Sequence, residues 1–220
     1  MTVQKSAIIF GATGLVGRHV LRELLNNPRY GKVTTVARRD MNIKHAKINQ
    51  LIADFQTIEE IKDQLVADDV FCCLGTTRKK TPDLQEYYRI DHDYPVALAR
   101  LTKANGAKAL LVVSAVGADA DSANFYLRMK GQMERDIVAV GLDRTHIFRP
   151  SLITGKRSEK RRSESLAKGL FTVIDPFLIG GLSKYRSVPA AWVAKAMNRA
   201  AEQEHGGVRV YYWKHIKNQL

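Results

Sequence analysis

Short apolar runs alternate along this chain with longer stretches in which apolar side chains recur every three or four positions. That alternation is what β-α-β units produce when they build a parallel sheet covered on both faces. Ala7–Phe10, Val33–Ala37, Ile48–Ile52, Val70–Leu74, Ala109–Ser114, Thr145–Arg149 and Val208–Trp213 read as strands, in that order. Helical period over Val16–Asn26 places Val20, Leu21, Leu24 and Leu25 on one face, and Asn26, Asn27 and Pro28 stop it. Further helices are expected over Pro95–Ala104, closed by Asn105 and Gly106, over Tyr126–Val140 and over Ala190–Ala201. The predicted class is α/β, a doubly wound parallel sheet of six or seven strands with helices on both faces.

With 220 residues the chain fits one unit, expected over 1–220, with 1–150 as a ligand-holding core and 151–220 supplying a small substrate-covering region and the last strand. After Pro150 the rhythm changes. A basic stretch, Lys156–Arg162, precedes an apolar segment, Leu170–Leu182, that Asp175, Pro176, Gly180 and Gly181 interrupt. Neither this segment nor Met1–Phe10 approaches the roughly 20 apolar residues that cross a bilayer, and no membrane span or secretory leader is expected. The two cysteines, Cys72 and Cys73, are adjacent in a strand run, so their side chains diverge and they read as reduced core residues; the cytoplasm is the expected compartment. Six scattered histidines form no ligand spacing, and no metal is expected.

The run GATGLVG, Gly11–Gly17, falls where the first strand ends and the first helix begins. Glycines there allow a tight turn and close backbone approach to a pyrophosphate, while the helix-start N–H groups of Thr13 to Val16, Gly14 and Leu15 among them, offer donors to the anion. Strand before and helix after make this the fingerprint of a Rossmann dinucleotide site. An NAD site places an acidic residue after the second strand, but here Ala37 is followed by Arg38 and Arg39, whose planar donors suit a 2′-phosphate. The expected cofactor is therefore NADP(H), with Arg38 the main contact and Arg39 the one facing solvent. Asp54 is a candidate acceptor for the adenine amino group, with an ordinary loop carboxylate as the alternative. Leu74, Gly75 and Thr76 close the fourth strand on the carboxyl edge where ligands of open α/β sheets lie.

Tyr126 and Lys130 are one helical turn apart and share a face. That spacing arises often by chance, but this pair follows the fifth strand, and Ser114 stands at that strand's carboxyl end. A free phenol titrates near pH 10, and a nearby ammonium favours its ionised form. The expected chemistry is hydride transfer between a nicotinamide and a carbonyl carbon. Tyr126 would move the proton of the carbonyl oxygen, Ser114 would orient that oxygen, and Lys130 would tune the phenol and hold the ribose hydroxyls. An exposed helix pair and a strand-end serine is the structural alternative.

GATGLVG, FCCLGTTRKK (Phe71–Lys80), VSAVGADADS (Val113–Ser122), NFYLRMKG (Asn124–Gly131), FRPSLITG (Phe148–Gly155) and SVPA (Ser187–Ala190) together resemble the Tat-interacting-protein oxidoreductase branch of the atypical short-chain dehydrogenase/reductases. The resemblance covers nearly the whole chain. It implies a Rossmann fold, NADP(H) binding, a Ser-Tyr-Lys set on Ser114, Tyr126 and Lys130, and backbone near the nicotinamide around Ser151 and Leu152. Where better-known animal members have two serines before the glycine, this chain has Ser114 followed by Ala115, leaving Ser114 as the one candidate.

Thirty-five Lys and Arg against 22 Asp and Glu give a net charge of +13. Such an excess points to anionic partners, but Lys156–Arg162 carries no interleaved aromatics and no DNA-reading motif accompanies it, so no nucleic acid is expected. The ligand expected is a small molecule, an anionic one if the basic clusters act beyond solvation. Monomer and homodimer are both compatible with the sequence. Two rival functions remain: a catalytically silent NADP(H)-sensing regulator or scaffold, against which the intact Ser-Tyr-Lys set argues, and a sugar-nucleotide epimerase or dehydratase, against which the short region after Pro150 argues.

Overall fold

The computed structural model describes residues 4–155 and 175–220. Among these, seven strands form one all-parallel sheet: β1 (Lys5–Phe10), β2 (Tyr30–Ala37), β3 (Ile48–Ile52), β4 (Asp69–Cys72), β5 (Ala109–Val113), β6 (Arg144–Phe148) and β9 (Gly207–Tyr211). Their order is β3-β2-β1-β4-β5-β6-β9. The chain winds outward from β1 through β2 to β3, then returns to pair β4 on the other side of β1, with Ala7 opposite both Val33 and Asp69. The direction reverses between β1 and β4, so the crevice outside their carboxyl ends is where this topology receives a ligand.

Alternate residues of each strand feed two cores. Ala7, Ile9 and Phe71 point to the layer of α1 (Gly17–Asn26), α5 (Ala190–Ala201) and α6 (Trp213–Lys217). Ile8, Phe10, Val70 and Cys72 point to the opposite layer, with α3 (Tyr94–Ala104) and α4 (Phe125–Val140). Near-continuous apolar strands are what burial on both faces demands, which is why period-two alternation is missing from the sequence. Both cysteines are free thiols.

Boundaries differ from the expected ones in a consistent way. β1 and β2 begin earlier, because their polar starts, Lys5 and Tyr30, still find partners at the amino edge. β4 ends at Cys72, β5 at Val113 and β6 at Phe148, so Leu74, Ser114 and Arg149 stand in loops at the carboxyl edge. Unforeseen elements are a 3-10 stretch, Ile58–Gln64, the short α2 (Leu84–Tyr88) and a π-helical turn, Arg89–Asp93, running straight into α3. Asp83 caps α2 by accepting from the N–H groups of Gln85 and Glu86, and Asn124 caps α4 by accepting from those of Tyr126 and Leu127; such caps contribute about 1 kcal/mol each. Beyond β6, β7 (Ile153–Thr154) pairs with β8 (Val188–Pro189), and 3-10 turns span Asp175–Phe177 and Gly180–Tyr185. The basic stretch 156–162 and the first part of the apolar segment 170–182 lie outside the described residues. No helix among those described is long and apolar enough to cross a membrane.

Candidate active site

The glycine turn is built by close backbone contact. Gly11 adopts φ +81°, and a Cβ on it would lie 2.7 Å from the Cys73 carbonyl oxygen, so β1 and β4 could not approach as they do with a larger residue. A Cβ on Gly17 would lie 2.0 Å from the Gly11 carbonyl oxygen. The Gly14 N–H donates to that same oxygen at 2.9 Å. Val16, at the N-cap of α1, provides no side-chain cap, and among the described residues the N–H groups of Thr13, Leu15 and Val16 donate to no backbone carbonyl. A helix start left open in this way, in a cradle from which Cβ atoms are excluded, fits the pyrophosphate of a dinucleotide.

Arg38 and Arg39 are exposed just past β2. Asp54 is exposed beyond β3 and within electrostatic reach of Arg38; the N–H groups of Gln56 and Thr57, bonded to its Oδ1, hold it below the usual carboxylate range. Leu74, Gly75 and Thr76 form the loop beyond β4 at the switch point, and Ser151 and Leu152 lie half-buried beyond β6, with the Leu152 carbonyl accepting from the Val188 N–H at 2.9 Å.

Lys130 is buried in α4, and its Nζ is 2.8 Å from Oδ1 of Asp91, a buried carboxylate in the π-turn. Burial is the strongest influence and works against the ammonium, but Asp91, Tyr126 and Cys72 together outweigh it, and the lysine pKa is raised. Oδ2 of Asp91 accepts from the Thr76 N–H at 2.7 Å, joining this pair to the switch-point loop. Tyr126, one turn earlier, is 37% exposed, with its ring 6.4 Å from that of buried Tyr87 and nearly parallel to it. Desolvation of the phenol raises its pKa, Lys130 pulls it down and Asp91 pushes it up; the net shift is upward. Without a bound coenzyme, therefore, Lys130 does not make Tyr126 the easily ionised phenol that its spacing suggests, because desolvation of the phenol, with a smaller contribution from Asp91, outweighs the ammonium.

Ser114 is buried, and its hydroxyl donates to Oε1 of Glu134. Arg149 grips the same carboxylate, with Nε 3.0 Å from Oε1 and Nη2 on Oε2, and its Nη1 donates to the Tyr212 hydroxyl at 2.8 Å. A serine has one proton to donate, and here the Glu134 carboxylate accepts that hydrogen bond, so in this arrangement Ser114 shows a ligand only acceptor lone pairs. The structure thus joins Lys130, through Asp91, to the loop at Thr76, with the Tyr126 phenol within electrostatic reach, while Ser114 belongs to a separate Glu134–Arg149–Tyr212 chain. Asp91, Glu134 and Arg149 were not foreseen: Asp91 lies in a stretch without helical period, and Glu134 looks in sequence like one more charge on a helix surface.

A family model described as NAD(P)H-binding matches residues 11–203. The rat protein HTATIP2 is 35% identical over 197 residues, 88% of this chain and 79% of its own length. The protein fmp52, mitochondrial, of Aspergillus niger is 32% identical over 206 residues, 90% of this chain and 88% of its own. Among solved structures, MoeE5 in complex with UDP-glucose and NAD superposes with a TM-score of 0.70 at 19% identity, covering 94% of this chain and 76% of that one. The UDP-N-acetylglucosamine 4-epimerase of Methanobrevibacter ruminantium, in complex with UDP-N-acetylmuramic acid, gives 0.73 at 18%, covering 95% and 76%. At such identities the structural likeness speaks to the fold.

Proposed function

The chain belongs to the NAD(P)H-binding family and to the Tat-interacting-protein oxidoreductase-like branch of the atypical short-chain dehydrogenase/reductases, and on that premise we propose that it is an NADP(H)-dependent oxidoreductase of small carbonyl and alcohol compounds. The observation that carries the reading is the buried Lys130–Asp91 pair, bonded to the switch-point loop through Thr76 and within electrostatic reach of the Tyr126 phenol. A structural helix pair would have no reason to bury an ammonium against the loop over which a dinucleotide lies.

The nicotinamide, when bound, supplies or takes the hydride at the substrate's carbonyl carbon. Tyr126 gives its proton to the carbonyl oxygen in reduction and takes it back in oxidation. Lys130 is the donor for the ribose hydroxyls, held in place by Asp91. Ser114 orients the substrate oxygen by turning its hydroxyl from Glu134 toward it. Gly11 to Gly17 hold the pyrophosphate, Leu74, Gly75, Thr76, Ser151 and Leu152 line the path to the nicotinamide, and Asp54 takes the adenine amino group. Arg38 and Arg39, where an NAD site has an acid, support the 2′-phosphate.

The substrate is read as small. The sugar-nucleotide-binding neighbours carry longer chains, of which this one covers 76%. Arg78, exposed on the loop after β4 and within electrostatic reach of Tyr87, supports an anionic group on that substrate. The cytoplasm is the expected compartment; fungal relatives are named mitochondrial, and cell fractionation decides. The function is tested with a panel of carbonyl compounds followed by NADPH absorbance. Turnover with tighter binding of NADPH than NADH at equal salt supports it; no turnover across the panel, or equal affinities, counts against the activity or the cofactor respectively.

A further inference from the structure

Between Asp175 and Ser187 three large apolar side chains stand in water: Phe177 is 76% exposed, Ile179 70% and Leu182 55%. Lone apolar residues on a surface are ordinary, but three so close in the chain, on and between two 3-10 turns, make a patch, and patches mark contacts. The backbone beneath them is tied down. The Phe177 carbonyl accepts from the Ile179 N–H at 3.0 Å, the Ile179 carbonyl accepts from the Leu182 N–H at 3.1 Å, and Arg186 Nη2 donates to the Pro176 carbonyl at 3.1 Å. Trp213 fastens this segment to α6, its Nε1 donating to the Ser187 carbonyl at 3.0 Å and its ring carrying the Arg186 guanidinium at 4.8 Å.

The charges on the same two elements are nearly all of one sign. Over 175–187 and 212–217 stand Lys184, Arg186, Lys214 and Lys217, against one acid, Asp175, whose carboxylate accepts from the Ser187 N–H and hydroxyl. Lys184, Lys214 and Lys217 are exposed, with Lys184 5.2 Å from the Tyr185 ring and Lys217 5.3 Å from the Trp213 ring. We infer that this face is a docking surface for an anionic lipid bilayer: Phe177, Ile179 and Leu182 enter the boundary between headgroups and acyl chains, and the three lysines meet lipid phosphates and carboxylates. This goes beyond the oxidoreductase reading and does not depend on it. A bilayer boundary accepts protruding apolar and aromatic side chains without a matched groove, and lysine stems lie along it while their ammoniums stay among the headgroups. A second copy of the chain fits less well, since a two-fold contact would set this cationic face against itself. An acidic polypeptide would answer the lysines and leave the three apolar side chains without cover.

The test is sedimentation of the full chain with vesicles of phosphatidylcholine alone or with about 30% phosphatidylserine, at about 0.15 M salt. Native protein should sink with the anionic vesicles and stay free of the neutral ones. The combined change Lys184→Gln, Lys214→Gln and Lys217→Gln should weaken binding about tenfold or more. Phe177→Ser, Ile179→Ser and Leu182→Ser together should weaken it about as much, with melting unchanged because all three are exposed. A direct readout is Phe177→Trp, whose emission, after subtraction of the native protein's two tryptophans, should shift to the blue on anionic vesicles and be quenched by brominated acyl chains. Native-strength binding by the triple serine variant would overturn the inference, since attraction of a basic protein would then suffice. An unshifted emission in Phe177→Trp would overturn it equally. So would a dimer in solution that the serine variant dissolves, or capture by polyglutamate, with no vesicle binding in either case; these would assign the face to a second copy or to an acidic polypeptide.

Discussion

Replacing Gly17 by alanine should cripple the dinucleotide cradle while leaving the rest of the fold in place. The added Cβ would lie 2.0 Å from the Gly11 carbonyl oxygen and 2.7 Å from its carbon, so one backbone segment must retreat by something on the order of 1 Å to reach van der Waals distance. Gly11 has little room to retreat, since it already packs on the Cys73 backbone at a distance that excludes a Cβ. The start of α1 must yield instead, and with it the direction of the open N–H groups. Alanine favours the helix by about 1 kcal/mol, whereas overpacking of this kind costs about 1–3 kcal/mol or more. The expected net loss is up to about 2 kcal/mol, a drop in melting temperature of up to roughly 8 °C for a chain of this length. NADPH affinity, read by fluorescence titration, should fall at least about tenfold, which is 1.4 kcal/mol of misdirected hydrogen bonding. Gly181→Ala, where a Cβ meets nothing within 4 Å, is the control and should change neither quantity. Native affinity and native melting in Gly17→Ala would refute the close-packed turn and the pyrophosphate site built on it.

Two other outcomes follow from buried groups. Glu134→Gln allows an amide to donate to Ser114 and frees the serine proton to face the ligand; KM for carbonyl substrates should fall about three- to tenfold, with NADPH binding unchanged, whereas an unmoved KM would show that Glu134 does not aim Ser114. His146 is fully buried against the Tyr211 hydroxyl, and burial, then Arg144 and Arg209, pushes its pKa down to about 4. The unfolded chain therefore takes up this proton first, and stability should be lost as pH falls from about 6.5 toward 4, by up to about 3 kcal/mol. Melting curves of native protein and His146→Gln across that window should converge as the acid end is reached; parallel curves would contradict it.

The sheet was legible because its strands are buried on both faces. Runs such as AIIF at Ala7–Phe10 and LLVV at Leu110–Val113 have no other use in a chain of ordinary composition, and the glycine turn carries its own steric signature. Strand ends were less legible. Lys5 and Tyr30 look like loop residues until Asp69, far along the chain, is seen to accept from both. Tyr126, Lys130 and Ser114 could be named from spacing and order, but their neighbours could not. Asp91 reaches Lys130 only because a turn of the chain widens to π geometry, and Glu134 turns inward only because Arg149 from β6's end is there to pair with it. Charges that meet across separate elements leave no local pattern, and at this site they decide which way the protons point.

The central claim is that a hydride passes between NADPH and a carbonyl carbon beside Tyr126. NADPH carrying deuterium at the nicotinamide C4 position measures this directly when the product is examined by mass spectrometry. Native protein should place the label on the carbonyl carbon of at least one small substrate, and Tyr126→Phe should lose that transfer by about a hundredfold or more while still binding NADPH. Deuterium absent from every product, or transferred by Tyr126→Phe at the native rate, would contradict the account.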